Sequence, residues 1–194
     1  MKTPFVISIS GISGSGKTTI AKALKNKLTS AEIVHFDDIA GDWLGRDYCE
    51  WSEAGANCNE AKLLSTINAI DDLMHKPLDY IILDYPFGKA HHGVGAYINF
   101  STWIDIPIDV SLARYILRDY TRRSKARRPL TGAVVDEISS YLDFYLERHR
   151  NTYFRHVETV RPSCDLIVDG LKSPEVIVAE ILSNVSRCEA IMRL

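Results

Sequence analysis

The sequence predicts an α/β fold in which a parallel sheet is covered by helices on both faces. Three observations predict it. Short apolar, β-branched runs recur along the chain, as in FVISIS (5–10) and DYIILDYPF (79–87). Between them lie segments whose apolar residues repeat at helical spacing. The glycine-rich turn GISGSGKTT (11–19) separates the first run from the first helical segment. Strands that alternate with helices need crossover connections, and these make a parallel sheet buried on both sides.

Each element follows from local pattern. FVISIS is a buried strand, and KTTIAKALKNKL then puts Ile20, Leu24 and Leu28 on one helical face. EIVHF (32–36) is a second strand, and residues 38–59 read as irregular, rich in Trp, Tyr, Gly and acids. NEAKLLSTINAIDDLMHK (59–76) is helical through Leu63, Ile67, Ile70 and Met74, and Pro77 stops it. DYIILDYPF is a strand, AHHGVGAY (90–97) a loop or a short helix broken by glycines, and STWIDIPI (101–108) a strand. DVSLARYILRDYTRRSK (109–125) opens on Asp109 as N-cap and continues as a basic helix. TGAVVDEISSYLDFYLERHRNTYFRHV (131–157) reads as one long helix. CDLIVDG (164–170) is the last strand, and SPEVIVAEILSNVSR (173–187) a closing helix with Ser173 as cap and Pro174 at its first position.

At 194 residues, 46% hydrophobic and 25% charged, the chain has the size and composition of one soluble domain. A formal charge of -2 argues against a polyanionic partner. Cys49, Cys58, Cys164 and Cys188 show neither a CxxC pair nor metal spacing, which suits reduced thiols. No signal peptide and no 18-residue apolar stretch is present, so the expected location is cytoplasmic, without membrane or nucleic-acid partners.

The chemistry starts at the glycine-rich turn. Gly11, Gly16, Lys17 and Thr18 fit G-x-x-x-x-G-K-[ST]. Backbone N–H groups must wrap a triphosphate there, and side chains at Gly11, Gly14 and Gly16 would obstruct the approach. The helix that follows turns its positive end to the anion. Lys17 reaches the outer phosphates and the Thr18 hydroxyl ligates Mg²⁺. A plain flexible turn is the alternative, but the strand before and the helix after favour phosphate. A dinucleotide fingerprint fails, because Thr19 stands where a third glycine is needed.

Two carboxylate sites narrow the reaction. Asp37 and Asp38 follow the second strand, and ligands of an open parallel sheet gather beyond the carboxyl ends of its strands. An acid there can take the proton of an attacking hydroxyl; the alternative is a pair of helix caps. Asp37 is preferred over Asp38. Asp84 ends YIILD and suits a carboxylate that orients magnesium-bound water, with a solvated strand end as the alternative. Arg114, Arg118 and Arg122 recur at i+4 on one helical face, followed by Arg123, Lys125, Arg127 and Arg128. A cationic lid over a transferring phosphoryl group explains this run better than a solvated face or an RNA patch. Which of Arg118 and Arg122 touches phosphate is open. Trp43, Tyr48 and Trp51 either stack on a substrate ring or pack against the core. Tyr85 is a further substrate-binding candidate, and His91 and His92, which follow the Asp84 strand, are either substrate contacts or surface histidines; Arg46 and Asp47 could bind polar substrate groups but read more plainly as exposed loop charges.

With GISGSGKTT, VHFDD, YIILD, WIDIPIDVSLARYILRDYTRR and CDLIVDG in view, the chain resembles the uridine kinase and phosphoribulokinase family of P-loop kinases, which includes nicotinamide riboside kinases. The resemblance implies a three-layer sandwich with a five-stranded parallel sheet ordered 2-3-1-4-5 and an arginine-rich lid. It implies ATP and Mg²⁺ as cofactors and phosphoryl transfer to a hydroxyl of a small molecule, most readily a nucleoside or riboside such as uridine. Asp37 would be the base, Thr18 and Asp84 would hold magnesium, and Arg118 and Arg122 would sit in the lid. Ser13, Ser15 and Thr19 would join the phosphate loop, and Gly170 and Leu171 would lie by the adenine. Residues 1–194 would form a single kinase domain, with the lid at about 118–130 and the acceptor region at about 38–60; a homodimer stays open. The chain departs from the family in DDIAG, where many uridine kinases carry an aromatic pair, and in Ser52, where a riboside kinase would carry Asp. A non-nucleoside alcohol is therefore an alternative acceptor. A nucleotide switch without an acceptor is another, since DIAG (38–41) matches D-x-x-G, although no N-K-x-D follows.

Overall fold

The computed structural model describes residues 3–121 and 131–192. Five parallel strands form one sheet in the order β2-β3-β1-β4-β5. They are β1 (Phe5–Ser10), β2 (Ala31–His35), β3 (Tyr80–Asp84), β4 (Phe100–Asp105) and β5 (Leu166–Asp169). The order and parallel pairing are those expected from the resemblance.

The connections carry α1 (Lys17–Lys25), α2 (Phe36–Ile39), α3 (Tyr48–Glu53), α4 (Leu64–Met74), α5 (His92–Gly95) and α6 (Ile108–Ile116). After them come α7 (Gly132–Phe144), α8 (Arg150–Val160) and α9 (Pro174–Met192). β1 is buried along its whole length, as a central parallel strand must be. Ile20 and Leu24 of α1 pack with Ile177, Ile181 and Val185 of α9 in the core. Each such side chain contributes roughly 1.5–3 kcal/mol on leaving water. α4 lies against β2, and α8 against α3.

Several boundaries differ from the sequence reading. The helix expected from residue 59 starts at Leu64. Residues before it spend their polar groups on neighbours: Lys62 N–H donates to Trp43 O at 2.6 Å, and Asn57 Oδ1 accepts from Asn59 N–H at 3.1 Å. The stretch 38–59 is not wholly irregular, since it holds α3 and the end of α2. Asp109 is not an N-cap: Pro107 takes that position, and Asp109 sits in the first turn of α6. The long helix expected over 131–157 runs to Val160 but passes through a π-helical turn at Tyr145–His149. A second π-helical turn, Leu117–Thr121, follows α6. β1 matches its run, while β2 to β5 stop one to three residues short of theirs, because the chain turns at the carboxyl rim of the sheet. Ser10 Oγ holds that turn after β3, donating to Tyr85 O at 2.8 Å and accepting from Gly88 N–H at 3.0 Å.

Candidate active site

The carboxyl ends of all five strands open onto one rim, and there a cavity of about 800 Å³ lies over the first helix. Residues 11–20 line its floor. Gly16 immediately precedes α1, whose free N–H groups face the cavity head-on. Gly14 and Gly16 have φ of 79° and 99°, the left-handed region. A β-carbon on Gly14 would stand 2.5 Å from the main-chain oxygen of Ser111 in α6. The Ser111 hydroxyl also donates to Ser13 O, so α6 clamps the loop from above. Strain of this kind costs on the order of 1–3 kcal/mol. Gly14→Ala is therefore expected to weaken binding of a non-hydrolysable ATP analogue ~10-fold, readable by titration calorimetry.

Lys17 Nζ donates to Gly11 O at 3.0 Å and Ile12 O at 3.2 Å, partners that an incoming phosphate can replace. Desolvation lowers its pKa, and Asp84 and Asp37 oppose that shift. Asp84, at the end of β3, is buried, and its Oδ2 accepts from the Thr18 hydroxyl at 2.6 Å and from His35 Nδ1 at 3.0 Å. A hydroxyl and one carboxylate suit Mg²⁺, which keeps most of its shell as water and phosphate oxygen. The described residues contain no cluster of three or more His, Cys, Asp or Glu for a dedicated protein cage.

The strand order places β2 and β3 on one side of the loop and β4 and β5 on the other. On the β5 side the cavity is lined by Gly170, Lys172, Pro174 and Ile177. Arg114 donates to Gly170 O at 3.3 Å. On the β2 side it is lined by Asp37, Phe36, Trp43, Tyr48 and Phe87. His149, Tyr153 and His156 join them from the helices that follow α7. Asp37 is exposed and shares the cavity lining with Lys17 and Arg118; its charge opposes the lowering of the Lys17 pKa. Arg118 is forked by Asp119, with contacts of 3.0 and 2.8 Å, and lies 5.4 Å from the centre of the Tyr115 ring. Asp119 is the main cause of its raised pKa.

His156 is buried with both ring nitrogens engaged. Nε2–H donates to Pro86 O at 2.9 Å, and the Tyr48 hydroxyl lies 3.4 Å from Nδ1. Burial pushes its pKa down from 6.5 to about 4. His149 is lowered for the same reason, against a smaller opposing effect of Asp47. Between these values the unfolded chain binds a proton that the folded chain refuses, so stability rises with pH. The melting temperature is expected to fall as pH drops from 6.5 towards 4, and His156→Gln to flatten that slope in differential scanning calorimetry.

The cavity gathers Gly11, Ser13, Gly14, Ser15, Gly16, Lys17, Thr18, Thr19, Asp37, Trp43, Asp84, Arg118 and Gly170 from the sequence reading. It does not gather Asp38, Trp51, Tyr85, His91 or Leu171. Asp38 is exposed beside its neighbour. Trp51 is wholly buried, donates Nε1–H to Asn57 O at 3.0 Å and supports Tyr48 from behind, with rings 5.4 Å apart. Tyr85 is buried edge-on against Phe36 and Phe87, and desolvation raises its pKa. His91 caps α5, its Nδ1 accepting from Val94 N–H at 3.1 Å. Leu171 is exposed and lines a separate shallow concavity with Asp105 and Pro107. Arg46 pairs with Glu60, and Asp47 caps α3. Arg122 and residues 123–130 of the expected lid lie outside the described residues.

The sequence reading missed His35, Phe36, Phe87, Tyr115, His149, Tyr153 and His156. His149, Tyr153 and His156 follow i, i+4, i+7 spacing, a stripe that could have been noticed as a polar-aromatic face.

Comparison with known proteins agrees with this fold. The family model for adenylylsulphate kinase matches residues 3–53, the segment with the phosphate loop and Asp37. A uridine kinase of Clostridium botulinum is 25% identical, over 95% of this chain and 97% of its own length. One of Halobacterium salinarum is 22% identical, over 91% and 85%. Among solved structures, shikimate kinase of Aquifex aeolicus shares the fold with a TM-score of 0.53 at 24% identity, covering 94% of this chain and 96% of that one. TT1252 from Thermus thermophilus does so with a TM-score of 0.57 at 16% identity, over 94% and 98%. The likeness to uridine kinases over most of the chain bears out the resemblance read from the motifs. Among the described residues no helix is long and apolar enough to cross a membrane.

Proposed function

We propose that this chain, a P-loop kinase by fold and by its likeness to uridine kinases, transfers the γ-phosphoryl of ATP to a hydroxyl of a small, uncharged molecule, with uridine and other nucleosides first in line. One observation carries the reading: Asp37, in the first turn of α2 just past β2, lines the same cavity as Lys17, with an aromatic pocket beside it. A nucleotide switch has no use for such a pocket.

In this reading the phosphate loop and Lys17 hold the triphosphate. Thr18 and Asp84 are the residues that would hold Mg²⁺, which offsets charge on the phosphate oxygens when bound. The acceptor oxygen bonds to the γ-phosphorus, its proton passes to Asp37, and the bond to the bridging oxygen breaks to leave ADP. Arg118 supplies positive charge to the phosphoryl group in transit. Gly170, Lys172 and Pro174 flank the nucleotide base. Residues 38–60 hold the acceptor, within one domain spanning 1–194.

The pocket's chemistry favours an uncharged acceptor with a flat ring. Phe36, Trp43, Tyr48, Phe87 and Tyr153 offer ring faces and edges, and burial keeps His149 and His156 neutral. Among the described residues on this side, the charges that line the cavity are the carboxylates Asp37 and, at the end of β3, Asp84, which disfavour an anionic acceptor.

The test is incubation with ATP and Mg²⁺ against a panel of nucleosides, other ribosides, pantothenate-like alcohols and sugars, following ADP. ADP formation that depends on an uncharged, ring-bearing alcohol supports the reading. A sugar or open-chain alcohol as best acceptor overturns the substrate class. Slow hydrolysis indifferent to every alcohol overturns the kinase assignment.

A further inference from the structure

β2 and β3 pair in parallel with His35 in register with Asp84. Residues paired in this way project from the same face of a sheet, so the strand pairing itself brings imidazole to carboxylate. His35 Nδ1 lies 3.0 Å from Asp84 Oδ2, and the Thr18 hydroxyl donates to the same oxygen at 2.6 Å. An ionised carboxylate only accepts hydrogen bonds, so the hydrogen of the first contact sits on Nδ1. The Asp84 side chain is 9% exposed and that of His35 26%, which leaves the carboxylate few alternative donors in water.

The two donors are not equivalent. Thr18 belongs to α1 at the end of the phosphate loop, and its hydroxyl has a second task at the metal. His35 belongs to the sheet and has none. We propose that His35 is a positioning residue: it holds the Asp84 carboxylate in the orientation that serves a divalent cation, whatever the Thr18 hydroxyl is doing. The inference rests on the function proposed above but goes beyond it, because it assigns a role to a side chain that touches neither nucleotide nor acceptor. A group that orients a metal-site carboxylate is typically worth 10–100-fold in metal affinity.

The experiment compares His35→Ala, His35→Phe and His35→Asn with the native chain. Its readout is binding of Mn²⁺ to the complex with a non-hydrolysable ATP analogue, measured by electron paramagnetic resonance. Alanine and phenylalanine both remove the donor, and phenylalanine keeps the ring volume, so one of the pair remains informative if the other fails to fold. Both are expected to weaken Mn²⁺ binding by ~10-fold or more. Asparagine places an amide donor near the position of Nδ1 and is expected to stay within ~3-fold of the native chain. Metal-free binding of the analogue is expected to be unchanged. In turnover, the Mg²⁺ concentration for half-maximal rate is expected to rise by the same factor, with kcat at saturating Mg²⁺ little altered. Native Mn²⁺ affinity in the donor-free variants overturns the proposal for His35 and leaves the kinase reading standing. So does equal weakening in all three variants, which marks a merely structural role. A native chain that binds the analogue but takes up no Mn²⁺ beside it overturns both.

Discussion

Asp37→Asn is expected to leave ATP binding nearly intact and to cut phosphoryl transfer at least ~100-fold. The amide is the same size as the carboxylate and can still line the cavity, but it cannot take a proton. Its loss falls on the transition state, where the acceptor oxygen sheds its hydrogen, so kcat should drop with little change in the KM for ATP. Because Asp37 is exposed at the cavity wall and outside the core, the substitution should leave the melting temperature close to native. Stopped-flow or coupled-assay kinetics with the best acceptor of the panel give the measurement. Full turnover in Asp37→Asn would move the role to Asp38, whose exposed side chain does not line the cavity.

Lys17→Ala is expected to abolish measurable turnover. Its ammonium is the cation at the centre of the loop, held by Gly11 O and Ile12 O. Desolvation has already lowered its pKa, so charge on phosphate is a better partner than these neutral carbonyls. Removing the ammonium costs both ground-state affinity and the charge that stabilises the phosphoryl group in flight, and ~10³-fold or more in kcat/KM is expected. The fold should survive, since a surface lost at the rim of the sheet leaves the core of β1, α1 and α9 untouched. Circular dichroism alongside the kinetics separates the two effects. Near-native rates in this variant would remove the loop from the chemistry.

These two residues were legible in the sequence for a physical reason. A phosphate loop needs glycines, a lysine and a hydroxyl at adjacent positions, so its whole signal lies within one short stretch. Asp84 was legible because a buried strand that closes in an acid is unusual on packing grounds alone. The sheet was legible from its apolar runs, while its strand order came from the resemblance. The acceptor pocket was much less so. Trp43 and Trp51 lie in the same stretch and look alike in sequence, yet one lines the cavity and the other lies behind it, a choice made by the tertiary packing of α3 against α8. α2 and α3 have four and six residues, too few for a helical period to show. The π-helical turn at Tyr145–His149 inserts an extra residue into the long helix and rotates the face that α8 presents. Periodicity carried from residues 131–144 straight through that turn misaligns the face that His149, Tyr153 and His156 share, so their common spacing alone could not place it at the pocket. His35 was hidden for a different reason: its partner is 49 positions away, and only the register of two strands joins them.

The most direct test of the central claim follows the γ-phosphoryl group itself. The protein is given ATP radiolabelled at that position together with Mg²⁺ and uridine or the best acceptor of the panel, and the products are separated by thin-layer chromatography. The prediction is label on the acceptor as a phosphate ester, in amount equal to the ADP formed, and none above background with Asp37→Asn over the same interval. Label appearing only as inorganic phosphate, with every acceptor offered, would contradict it.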